Sequence, residues 1–155
     1  MSLFARRSRS VATPLDGVDA VLADLDGVVY QGPTAIPFAV ESLTRVAAAG
    51  TRIGYITNNA SRTDVQVAEH LSSFGLDVAA SDVVTSPQAA VRLLSGLVQP
   101  GSLILVVGGD GLVDELGKAG FRVTRESADE PAAVIQGFSP EVGRASCRER
   151  VSSVV

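Results

Sequence analysis

From Asp19 onward, short apolar runs alternate with stretches whose apolar residues recur every three or four positions. The run AVLAD, Ala20 to Asp24, has no polar alternation, which predicts a strand covered on both faces of a parallel sheet. Behind it, FAVESLTRVAAAG (38–50) places Phe38, Leu43, Val46 and Ala47 near one helical stripe, with Gly50 positioned to close the helix. RIGYI (52–56) predicts a second strand. Ser61 or Thr63 can then cap a helix in which Val65, Ala68, Leu71 and Phe74 fall at spacings of three, ended by Gly75. DVVTSPQAAVRLL supplies another helix start, with Ser86 as N-cap and Pro87 at the first helical position. SLILVVGG, LVDELGKAG, FRVT and AAVIQGF follow as strand, short helix, strand and strand. Strands and helices in turn predict an α/β fold with a mostly parallel sheet.

Composition narrows the functional classes. With 155 residues and 46% hydrophobic content, the chain is expected to fold around a real core. A net charge of -4 leaves no basic footprint, so nucleic acid is not an expected partner. The single cysteine, Cys147, permits no internal disulfide and fits a reducing, cytoplasmic setting. No apolar run reaches the ~18 residues of a membrane span. The Arg6–Arg7 pair lacks the apolar segment of a secretory signal, and residues 1–15 read as a disordered lead-in.

The chemistry begins at DLDG, where Asp24 and Asp26 end the first strand, the edge at which ligands gather in an open α/β sheet. If the chain turns out of the strand at Leu25, both carboxylates face the crevice, and Gly27 permits a tight loop. Two close carboxylates repel unless a cation or a shared proton compensates, and Mg²⁺ with substrate phosphate oxygens would answer that need. An isolated D-x-D is most simply a pair of turn caps. YITNNASRT alters that reading, because Thr57 and Asn58 bring neutral donors to the end of the next strand, with a helix N-terminus close behind.

At these residues the sequence resembles the haloacid dehalogenase superfamily, in its NagD-like, p-nitrophenylphosphatase-like branch (subfamily IIA). ADLDGVVYQGPTAIPFA and GYITNNASRT carry the resemblance, which runs from about Val18 to Gly143. It implies a Rossmann-like core (residues 16–83) followed by the first part of an inserted α/β, C2-type cap (84–143). It also implies Mg²⁺-dependent hydrolysis of a small phosphorylated metabolite through an aspartyl-phosphate. By the resemblance Asp24 is the nucleophile and a metal ligand. Asp26 is the acid and then the base, also reaching the metal, and Thr57 and Asn58 hold the phosphoryl group. A membrane partner is not expected, and homo-oligomerisation is left open for the full-length protein.

VVGGDGL (106–112) suggests a phosphate loop but lacks both the G-x-G-x-x-G order and a Walker lysine. His70 is expected to be solvated or packed, and Asp110, Asp114 and Glu115 to be exposed helix-start charges. The family's set also needs a downstream lysine and a further acidic motif. The only lysine, Lys118, lies in a helical pattern assigned to the cap, so the chain is expected to carry half an active site and little activity. RASCRERVSSVV (144–155) departs from the pattern and is expected to be a non-native tail, cutting the cap in mid-fold. The alternative function is a non-catalytic phosphate or nucleotide binder, which would have no use for a second acid at Asp26. A receiver-like phosphoacceptor would want an acidic residue where Thr57 and Asn58 stand.

Overall fold

The computed structural model describes residues 14–138, so the expected tail, Cys147, most of the lead-in and the last residues of the cap assignment lie outside the described residues. Strands β1 (Ala20–Asp24), β2 (Tyr30–Gln31) and β3 (Thr34–Ala35) precede helix α1 (Ala39–Ala48). β4 (Arg52–Thr57), α2 (Asp64–Ser73), β5 (Val83–Thr85) and α3 (Ser86–Leu94) follow. β6 (Leu103–Val107), α4 (Asp110–Lys118), β7 (Arg122–Thr124) and β8 (Ala133–Gln136) complete the described chain. The α/β alternation is as expected, and both three-stranded sheets are parallel throughout.

The first sheet has the order β1-β4-β5. Successive strands add in one direction, and right-handed crossovers therefore deliver α1 and α2 to the same face. On that face Ala23, Tyr55 and Val83 pack with Val67, Ala68 and Leu71 of α2, and Val40 and Leu43 of α1 lie against them. The opposite face carries Leu22, 70% exposed, with Ile56 and Val84 also exposed. Of the two faces expected to be covered, residues 14–138 cover one: an apolar run without alternation does not say which segments of a chain do the covering. Leu22 crosses Gly54, where a Cβ would stand 2.9 Å from Leu22 Cδ2. An open groove of about 470 Å³ runs past Ala20, Leu22, Gly54 and Val84.

The second sheet, β7-β6-β8, has its own core. The unbroken run Ile104 to Val107 is buried, and Ile104 and Val106 pack with Val91 and Leu94 of α3 and Leu112 and Leu116 of α4.

Helix termini explain several local differences. Thr63, of the two candidates, caps α2 through a capping box with Gln66. Thr85 rather than Ser86 caps α3, because Gln88 completes the same reciprocal pair with Thr85. Ser86 is thereby released for another bond. Phe38 is not on the helical stripe: it is the N-cap of α1, at φ 66° and largely exposed. Val65 also faces solvent, the buried face of α2 being Val67, Ala68 and Leu71. Gly50 and Gly75 follow α1 and α2 with φ of 87° and 93°, as predicted for helix ends.

Candidate active site

β1 and β4 run parallel with Asp24 opposite Ile56, so Asp24 and the Thr57–Asn58 pair reach the same carboxyl edge of the first sheet. Beyond Asp24 the side chains alternate: Leu25 is fully buried, while Asp24 and Asp26 on either side are exposed. An apolar anchor between two acids holds both carboxylates out of the core. The Leu25 carbonyl accepts the N–H groups of Val28, Val29 and Tyr30 at 3.2, 2.9 and 3.2 Å, and the Gly27 N–H donates to Tyr30 O at 2.8 Å. Gly27 has φ 82°, the left-handed conformation anticipated for this turn. The Leu25 N–H donates to Asp24 Oδ1 at 2.8 Å, fixing one carboxylate oxygen and leaving Oδ2 for a ligand.

Behind the turn, Tyr30 of the β2–β3 hairpin packs into the first core, a placement the sequence pattern does not predict. It is buried, and its ring stands edge-on to His70 with centroids 4.8 Å apart; His70 in turn meets Phe74 at 4.8 Å. His70 is thus packed, with Nε2 buried and lacking a hydrogen-bond partner among the described residues. Burial, then the charge of Asp26, push the Tyr30 phenol above its ordinary value, with Arg62 opposing and Asp24 adding. An aromatic four residues beyond Asp26, just after an apolar pair, was the available signal.

Thr57 is buried, and its Oγ1 accepts the Asn59 N–H at 3.1 Å, so the hydroxyl keeps its proton to donate. Asn58 is exposed, and its carbonyl accepts the Ser86 hydroxyl at 3.0 Å. Asn59 Oδ1 accepts from the Ser61 N–H and hydroxyl at 2.9 and 2.7 Å, an Asx turn that shapes the loop. The donor set at Asp24 and Asp26, two exposed carboxylates beside neutral donors, suits a hard cation such as Mg²⁺.

A second acidic group, Asp64, Asp114 and Glu115, has carboxylate oxygens within 4.8 Å of one another. Lys118 Nζ already balances it, at 3.1, 2.8 and 2.7 Å from the three. Hydrogen bonds to Asp114 and Glu115 raise the Lys118 pKa above its ordinary value, and the bond to Asp64 adds to them. Glu115 is buried against this lysine, which corrects its expected place among exposed helix-start charges. The glycines of VVGGDGL serve close packing: at Gly108 a Cβ would meet Leu112 Cδ1 at 2.7 Å and Gly137 N at 3.2 Å.

Residues 21–122 match the profile of the haloacid dehalogenase-like hydrolases. The chain is 40% identical over 136 residues to the D-glycerol 3-phosphate phosphatase of Mycobacterium tuberculosis, covering 88% of this chain and 38% of that protein. It is 42% identical over 108 residues to the glycerol-3-phosphate phosphatase of Gallus gallus, covering 69% of this chain and 35% of the relative. Among solved structures, the M. tuberculosis glycerol phosphate phosphatase in complex with magnesium superposes with a TM-score of 0.77 at 41% identity, covering 85% of this chain and 39% of that one. NagD from E. coli K-12 gives a TM-score of 0.70 at 31% identity, over 85% and 51% of the two chains. The chain thus spans less than two fifths of the two phosphatase sequences it matches.

Proposed function

The chain belongs to the haloacid dehalogenase-like hydrolases, and from that premise we propose that it supplies the nucleophile half of a phosphatase active site for a small phosphorylated metabolite. The observation that carries the proposal is the pair Asp24 and Asp26, held out of the core on either side of buried Leu25, at and just beyond the end of β1, beside the end of β4 at Thr57 and the Asn58 that follows it.

In this reading Asp24 Oδ2 attacks phosphorus, forming a P–O bond as the ester P–O bond breaks, and Asp26 gives its proton to the departing alcohol. Asp26 then takes a proton from water, which attacks the aspartyl-phosphate and frees phosphate and the Asp24 carboxylate. Acid–base assistance of this kind contributes roughly 10²- to 10⁴-fold. The Thr57 hydroxyl and Asn58 orient the phosphoryl oxygens as charge spreads over them. Mg²⁺, when held by Asp24 and the Asp26 carbonyl, would supply neutralising charge for those oxygens.

What supports a division of the chain here is the packing: β5 pairs with β4 as far as Thr85, whereas α3 lends Val91 and Leu94 to the second core. We read residues 16–83, with the end of β5, as the start of the catalytic layer, and the stretch that follows as the start of a cap. Relatives named for glycerol phosphate make a three-carbon polyol phosphate the first substrate to try.

The test is a chimera in which residues 14–138 replace the aligned segment of the M. tuberculosis phosphatase. It should hydrolyse glycerol 3-phosphate with Mg²⁺, and Asp24→Asn within it should lower kcat on the order of 10⁴-fold while phosphate still binds. Full turnover by the Asp24→Asn chimera would remove Asp24 as nucleophile. The 155-residue chain alone should turn over p-nitrophenyl phosphate hardly at all, and robust hydrolysis by it would show that its own residues suffice.

A further inference from the structure

The loop from Asn58 to Asp64 carries the exposed phosphoryl-binding candidate, yet it is held mainly by the second layer of the molecule. Ser86, opening α3, donates to the Asn58 carbonyl at 3.0 Å at one end of the loop. Lys118 and Gln88 bind the two oxygens of Asp64, both at 3.1 Å, at the other. Between these ties the loop backbone lies on glycine. A Cβ added at Gly111 would stand 2.9 Å from Arg62 O, 3.2 Å from Arg62 C and 3.3 Å from Ala60 O. One added at Gly109 would stand 3.3 Å from Phe138 O and 3.6 Å from Ser61 Cα. Most of these neighbours are backbone atoms, which cannot swing aside as a side-chain tip can. Gly117, in the same helix as Gly111, meets nothing within 4 Å.

We infer that Gly111, with Gly109 beside it, is the seat that fixes the Asn58–Arg62 loop, which makes these glycines positioning residues for phosphoryl binding. The inference rests on the reading of Thr57 and Asn58 given above. The Asn58–Arg62 loop has little to order it locally beyond the Asx turn and the Asn59 N–H bond to Thr57 Oγ1, and donors that must meet a phosphoryl group gain from being ordered beforehand. Backbone seated on backbone provides that order, and it links the loop to whatever moves α4.

The experiment compares Gly111→Ala with Gly117→Ala in the 155-residue chain, by amide hydrogen exchange and by titration with inorganic phosphate in the presence of Mg²⁺. Gly111→Ala should speed exchange across residues 58–62 about tenfold or more and weaken phosphate binding, leaving exchange in β6 and the rest of α4 unchanged. Gly117→Ala should change neither. In the chimera, Gly111→Ala should lower kcat about tenfold without lowering the thermal midpoint, a separation that a purely structural glycine does not give. Unchanged loop exchange in folded Gly111→Ala overturns the inference. If that variant does not fold in the 155-residue chain, the same exchange measurement on the Gly111→Ala chimera decides on the same criterion. Loop exchange that responds in a chain that binds no phosphate keeps the seat and removes the site reading; the opposite result removes the seat alone.

Discussion

Single residues set the charge balance of the molecule. Lys118, the only lysine in the chain, sits among Asp64, Asp114 and Glu115 and joins α4 to the first turn of α2. Lys118→Met leaves these carboxylates to repel one another, so its thermal midpoint should fall, and the deficit should shrink at 1 M salt, where screening reaches in to about 3 Å. An equal deficit at low and high salt would assign the loss to packing instead. The two tyrosines make a second test. Burial, then Asp26, raises the pKa of Tyr30 above 10.0, and burial, then Asp82, raises that of Tyr55. A phenol raised in the folded state contributes its stability in full below pH 10.0 and loses it as pH climbs through the folded value, so stability should fall only on the alkaline side. Absorbance titration, free of tryptophan, should show both phenols ionising late, with Tyr30→Phe removing one of the two steps.

At the scale of elements, α1 begins badly and α2 begins well. Phe38 caps α1 in the left-handed region at φ 66° with its ring in solvent, a conformation that suits glycine or asparagine. Phe38→Gly should stabilise the chain by about 1 kcal/mol in denaturant unfolding, while Thr63→Ala, breaking the capping box of α2, should cost about 1 kcal/mol. The longer elements were legible because their signals are redundant: the run Leu103–Val107 and the caps at Gly50 and Gly75 each declare themselves twice. The β2–β3 hairpin was not, because two-residue strands carry no period. Ser86 has the sequence pattern of a cap because it precedes Pro87, whereas its hydroxyl bonds Asn58, 28 residues away in the chain, and Thr85 does the capping. Asp24, Asp26, Thr57 and Asn58 could be grouped from sequence because parallel strands bring successive strand ends to one edge. The burial of Tyr30 beside them, and the glycines beneath the loop, depend on contacts across the fold that no local pattern encodes.

Residues 14–138 present two layers that meet at the Asn58–Asp64 loop and one sheet face that none of these residues covers. A parallel sheet is ordinarily covered on both sides, and Leu22, Ile56 and Val84 form a contiguous apolar stripe on the bare one. In the 155-residue chain this face should bind a hydrophobic dye and promote association, and Leu22→Lys should reduce both without loss of helical signal. The monotone order β1-β4-β5 has a consequence for synthesis as well. β4 and β5 each emerge from the ribosome after the neighbour they pair with, so the first layer can assemble in the order in which it is translated, closing one strand–helix–strand crossover at a time.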